Sequence, residues 1–192
     1  MKKWKIQKSS GLIIHSIRGS AASMCPLVAI IATPKRKMPS GSGTVVLGGP
    51  HAPRKRTSEQ NWKNPIKWNA EARAFKREHG RRPRVFCASL ADVFDNQAPS
   101  EWRKDLFALI RECRRLDWLM LTKRPQNILK MLPADWGDGY RNVWLGATAE
   151  DQTYFDQRWK YLQNIPAVIK FISYEPALGR LRLPKHGPYP DC

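Results

Sequence analysis

The chain has 192 residues, a formal charge of +18 and four cysteines. That length allows one domain with a real core. No apolar run approaches a transmembrane helix, and the scattered Cys25, Cys87, Cys113 and Cys192 exclude a disulfide framework and metal-ligand spacing.

The charge is uneven. Met1–Pro83 holds 18 Lys/Arg against 3 Asp/Glu, or +15, whereas Arg84–Cys192 holds 16 against 13, or +3. The second part therefore has the balance of an ordinary globular α/β protein. The basic excess is local, and it can attract nucleic acid without being built for it.

Residues 1–49 have no sustained helical or strand period. They mix S-S-G, S-G-S-G and K-R-K with one apolar island, P-L-V-A-I-I-A, which predicts a disordered basic N-terminal arm. The lysines Lys2, Lys3 and Lys5 ahead of that island only loosely imitate a signal peptide, because the polar gap is long and no clean cleavage site follows. A soluble, cytoplasmic protein is expected.

Residues 50–83 form a basic, Trp-containing entry segment. Arg54, Lys55, Arg56, Lys63 and Lys67 beside Trp62 and Trp68 offer cations for phosphates and rings for bases. The same tryptophans, with Ile66, better suit packing on the domain edge while the cations stay in water. A short helix is expected over Ala70–His79, ended by Gly80.

Residues 84–181 carry the β/α core. Val85–Ala88 is a short apolar run after Pro83 and reads as a buried strand, since it does not alternate with polar residues. Ser89, Asp92 and Asp95 follow it. Ser100 is the expected N-cap of a helix whose Trp102, Leu106, Leu109, Ile110 and Cys113 recur on one face. That placement makes Cys113 a core residue rather than a nucleophile, with Arg111, Arg114 and Arg115 on a solvated face.

The pattern then repeats three times. Strand Trp118–Leu121 runs into Thr122, Lys123 and Arg124, with Pro125 opening a helix over Gln126–Leu132. Strand Val143–Ala147 runs into Thr148, Glu150 and Asp151, with a helix over Gln152–Asn164. Strand Val168–Ile172 runs into Ser173 and Glu175, and residues 182–192 form a Pro-rich tail without another strand.

This order predicts an α/β fold: a parallel sheet of about four strands with alternating helices and right-handed crossovers. Closure needs eight strands, so the expected form is an incomplete TIM-barrel-like sheet. In such folds ligands bind at the carboxyl ends of the strands. Ser89, Asp92, Thr122, Lys123, Thr148, Glu150, Ser173 and Glu175 are therefore the candidate cofactor- and substrate-binding residues. Each equally suits a helix cap or a turn; no catalytic residue or metal ligand is identified.

Five stretches carry a resemblance: W-K-N-P-I-K-W-N, R-V-F-C-A-S-L-A-D-V-F-D, W-L-M-L-T-K-R-P, N-V-W-L-G-A-T-A-E-D and I-K-F-I-S-Y-E-P-A-L-G. They span most of residues 51–181 and resemble a phage-associated protein family of unknown function. The resemblance implies that intact members are similar to radical S-adenosylmethionine enzymes, with a C-x6-C-x2-C motif followed by Y-A-E. Three thiolates so spaced hold three irons of a 4Fe–4S cluster and leave the fourth open. It also implies a further Gly-Gly-Glu-type strand after this C-terminus, so the chain reads as truncated.

Here Cys25 stands alone where the motif is expected. The genetic code offers a reason. When each codon's third base is joined to the next codon's first two, synonymous choices let Val28–Lys35, V-A-I-I-A-T-P-K, spell C-D-H-C-Y-A-E. The expectation is that roughly Ser9–Gly48 is translated out of frame. This copy is then expected to bind no cofactor, whereas the cluster and S-adenosylmethionine belong to its intact relatives. The alternatives are a nucleic-acid-binding protein acting through the basic Trp-containing segment, or an inert product that exposes sheet edges.

Overall fold

The structure is a computed structural model that describes residues 54–87, 92–184 and 187–191, together with the backbone of Ile31–Ala32. Two short strands come first. β1 (Ile31–Ala32) pairs antiparallel with β2 (Lys55–Arg56). The expected disordered arm otherwise falls outside the described residues. Within that arm Ile31–Ala32 departs from the expectation, in keeping with the strand preference of its β-branched island.

α1 (Glu59–His79) is longer than the helix expected over Ala70–His79. Pro65 lies inside this helix, although proline lacks the N–H and crowds the preceding turn. Tertiary packing overrides it: Pro65 and Ala72 are buried, and Trp62 and Trp68 pack against the core. Gly80 ends the helix as expected, left-handed at φ 69°, with its N–H donating to Lys76 O at 2.9 Å.

Then the sheet begins. β3 (Arg84–Cys87), β4 (Asp117–Thr122), β5 (Val143–Thr148) and β6 (Ile169–Ser173) lie side by side in chain order, every pair parallel. The crossovers carry α2 (Ser100–Glu112), a 3-10 turn (Pro125–Asn127) leading into α3 (Ile128–Met131), and α4 (Gln152–Leu162).

Several boundaries move from expectation. Ser100 is the first residue of α2 rather than its cap. Pro99 holds the cap position, and Ser100 Oγ donates to Glu101 Oε1 at 2.9 Å. The helix expected over Gln126–Leu132 tightens to a 3-10 turn before α3, with Pro125 opening it. Asp151 caps α4 by accepting from Tyr154 N at 2.9 Å.

Alternation along each strand sorts the side chains onto two faces. Val85, Cys87, Trp118, Met120, Val143, Leu145 and Ala147 join one buried cluster with Leu106 and Ile110 of α2, Ile128 of α3, and Phe155, Trp159 and Leu162 of α4. All three crossovers thus cover the same face. A sheet wound in one direction with helices on one side is barrel geometry; a doubly wound sheet covers both faces. The other face carries Arg84, Phe86, Leu119, Leu121, Trp144, Gly146 and Phe171, with the Arg84 guanidinium 4.6 Å from the Trp144 ring centre.

The strand tips at the carboxyl edge

Parallel winding puts the ends of β3, β4 and β5 at one edge, and the residues after them interlock. Asp92 is buried. Its Oδ1 accepts from Thr122 Oγ1 at 2.7 Å and Phe94 N at 3.0 Å, and its Oδ2 from Lys123 N and Arg124 Nη1, both at 3.1 Å. Thr122 Oγ1 in turn accepts from Arg124 N at 2.8 Å. Asp92 therefore ties the exit of β3 to the exit of β4.

Asp95 extends the cluster. Arg54 Nε and Nη2 both lie 2.8 Å from its Oδ2, with the side chains 6% and 8% exposed, and Arg124 Nη2 lies 3.9 Å away. Gln97 N donates to Oδ1 at 3.0 Å. Burial pushes the Asp95 carboxyl up, but these hydrogen bonds and the charges of Arg124 and Arg54 outweigh it and hold it below its ordinary value.

At the tip of β5, Glu150 Oε1 sits 2.6 Å from Lys123 Nζ, and its Oε2 accepts from Arg158 Nη1 at 2.7 Å. The same Arg158 nitrogen donates to Thr148 O at 2.7 Å. Burial again raises the carboxyl; the two cations outweigh that and depress it. Through Lys123, whose backbone serves Asp92 and whose amine serves Glu150, the two clusters form one continuous ionic ladder along the edge.

Of the eight expected edge residues, five come together: Asp92, Thr122, Lys123, Thr148 and Glu150. Ser173 lies beside Thr148 in register, and its carbonyl accepts from Ala149 N at 2.8 Å. Glu175 is exposed beyond the strand, and Ser89 lies outside the described residues. Sequence reasoning missed Arg158 because its partner, eight residues earlier, precedes the helix; no periodic spacing links them.

The basic segment has a different fate. Arg54 is sealed in its pair with Asp95. Arg56 Nη1 lies 2.6 Å from Asp105 Oδ2, and its guanidinium sits 4.1 Å over the Trp62 ring. Lys63 approaches Glu59 at 3.8 Å, whereas Lys55 and Lys67 are exposed. Trp62 and Trp68 are partly buried against the core.

A family described as "protein of unknown function (DUF5131)" has a model that matches residues 23–185. The chain belongs to this family. No curated protein and no solved structure matches it. A DUF5131 chain thus carries a singly wound parallel sheet with an ionic ladder at its carboxyl edge. Among the described residues no helix is long and apolar enough to cross a membrane.

The cysteines can be tested against the iron–sulfur cluster that the resemblance implies. Cys87 and Cys113 are both fully buried in the helix-side core. Burial pushes the Cys87 thiol up strongly; it lifts Cys113, together with the charge of Glu112, to about 11. A cluster ligand is a thiolate at an accessible mouth. Neither residue fits, and Cys25 and Cys192 lie outside the described residues.

Proposed function

We propose that the chain is an inactive member of a phage-associated, radical-S-adenosylmethionine-like family: the β/α scaffold is kept and the cluster chemistry is lost. The carrying observation is the saturation of the edge. Asp92, Asp95 and Glu150, the carboxylates an amino or hydroxyl group of a ligand would approach, are each engaged by cations and N–H groups of this chain. The location of Cys87 and Cys113 supports the same reading, since their thiols are held protonated inside the core.

The frame argument supplies the origin. Out-of-frame translation of roughly Ser9–Gly48 explains why the sequence there lacks periodicity and why one cysteine stands in place of three. The family match begins at residue 23, inside that stretch, so the codons themselves are the arbiter. If those of Val28–Lys35 do not spell C-D-H-C-Y-A-E in the shifted frame, this origin is excluded.

The activity claim has its own test. The full chain is incubated anaerobically with iron and sulfide and then desalted. It is expected to stay colourless and to retain neither iron nor sulfide. Stoichiometric iron with acid-labile sulfide would overturn the proposal.

A further inference from the structure

Beside the ladder, on the outer rim, lies a groove of about 400 Å³. Lys123 and Gln126 line it from the exit of β4, and Tyr154, Arg158, Lys160 and Tyr161 line it from α4. No carboxylate lines it among the described residues. Glu150 lies beneath and pairs with both Lys123 and Arg158, so the three cations and this carboxylate together carry a net charge of about two.

Two aromatic side chains stand on this face of α4. Tyr154 and Tyr161 are 42% and 49% exposed. With Arg158 they follow an i, i+4, i+7 stripe, which sets the two rings about 10 Å apart along the helix. The Arg158 guanidinium lies 4.5 Å from the Tyr154 ring centre, so that ring is held in place from one side while Arg158 is itself fixed by Glu150 and Thr148.

We propose that this groove binds single-stranded nucleic acid, with Tyr154 and Tyr161 stacking on bases, Lys123 and Lys160 meeting the phosphates, and Arg158 holding the Tyr154 ring in place. Rings interleaved with cations along one groove are the general means of holding single strands without sequence preference. A duplex hides its base faces and offers the tyrosines nothing to stack on. A mononucleotide would use only one of the two rings. The inference does not rest on the reading of the strand edge above, and its site is separate from the entry segment, where Arg54 pairs with Asp95 and Arg56 with Asp105.

The test uses the full chain and a fluorescent oligothymidylate, read by anisotropy at several salt concentrations. The double substitution Tyr154→Ala/Tyr161→Ala is expected to weaken binding at least fivefold, by analogy with base–aromatic stacking of about 1–3 kcal/mol per base. The Tyr154→Phe/Tyr161→Phe protein keeps both rings and is expected to bind as wild type. Lys160→Gln is expected to flatten the salt slope by about 0.7. Circular dichroism confirms that the variants fold. The proposal is overturned if the alanine protein loses less than fivefold, if the phenylalanine protein loses as much, or if the wild type does not bind. Iron binding in the reconstitution experiment would leave this result untouched.

Discussion

Arg54 shows how misleading a basic residue is until its partner is known. In sequence it belongs to a run of cations, yet it is 6% exposed and holds Asp95 through two nitrogens. Breaking a buried pair from one side leaves a charge with too little compensation: Arg124 Nη2 stays 3.9 Å from the carboxylate, and Arg103 bonds the Asp95 backbone carbonyl rather than the carboxylate. Arg54→Ala is therefore expected to cost about 3 kcal/mol, read as a lower urea midpoint at unchanged slope. Exposed Lys67→Ala is expected to stay within about 0.5 kcal/mol of wild type. Equal, small effects would mean that Arg54 is a surface cation after all.

Among the elements, β5 and β6 approach closely where Gly146 faces the Phe171 side chain. A methyl group added at Gly146 would fall within the ring of Phe171 on the neighbouring strand. Gly146→Ala is expected to destabilise by about 1–3 kcal/mol through overpacking. Adding Phe171→Ala should recover part of that, giving a double-mutant cycle that is not additive; strict additivity would refute the contact. The outer edge of β6 is also managed. Asp191 donates its N–H to Lys170 O and accepts from Lys170 N, both at 2.7 Å. Trp159 Nε1 donates to Pro188 O at 3.2 Å. Among its described residues the Pro-rich tail adds no strand, but it engages part of an edge that would otherwise invite pairing with another chain.

For the whole molecule, the ladder sets the response to acid. The carboxyls of Asp95 and Glu150 are depressed in the fold, so their stabilisation is complete above their ordinary values of 3.8 and 4.5 and is lost as pH falls below them. Asp117 acts in the opposite sense. Burial raises its carboxyl despite Arg82 nearby, so its ionisation costs stability as pH rises above 3.8. Glu101, held down by hydrogen bonds from its own backbone N–H and from Ser100, acts in the same sense as Asp95 and Glu150. The urea midpoint is expected to drop below pH 4.5 and to drop less in Glu150→Gln; an identical acid limb in that variant would count against the ladder.

Local pattern alone determined the four strands, their order and the parallel winding. Apolar runs such as Val143–Ala147 and apolar helix faces such as Leu106, Ile110 and Cys113 depend on near neighbours, and those are what a linear reading sees. It also placed polar groups at the tips, because residues after a strand must lie at its carboxyl end. Only the tertiary structure decided what those groups do. Asp92 meets Thr122 across 30 residues and Arg54 meets Asp95 across 41, and no periodicity encodes such pairs. The same holds for α1, where the burial of Pro65 and the packing of two tryptophans outweigh a local preference that argues for a break.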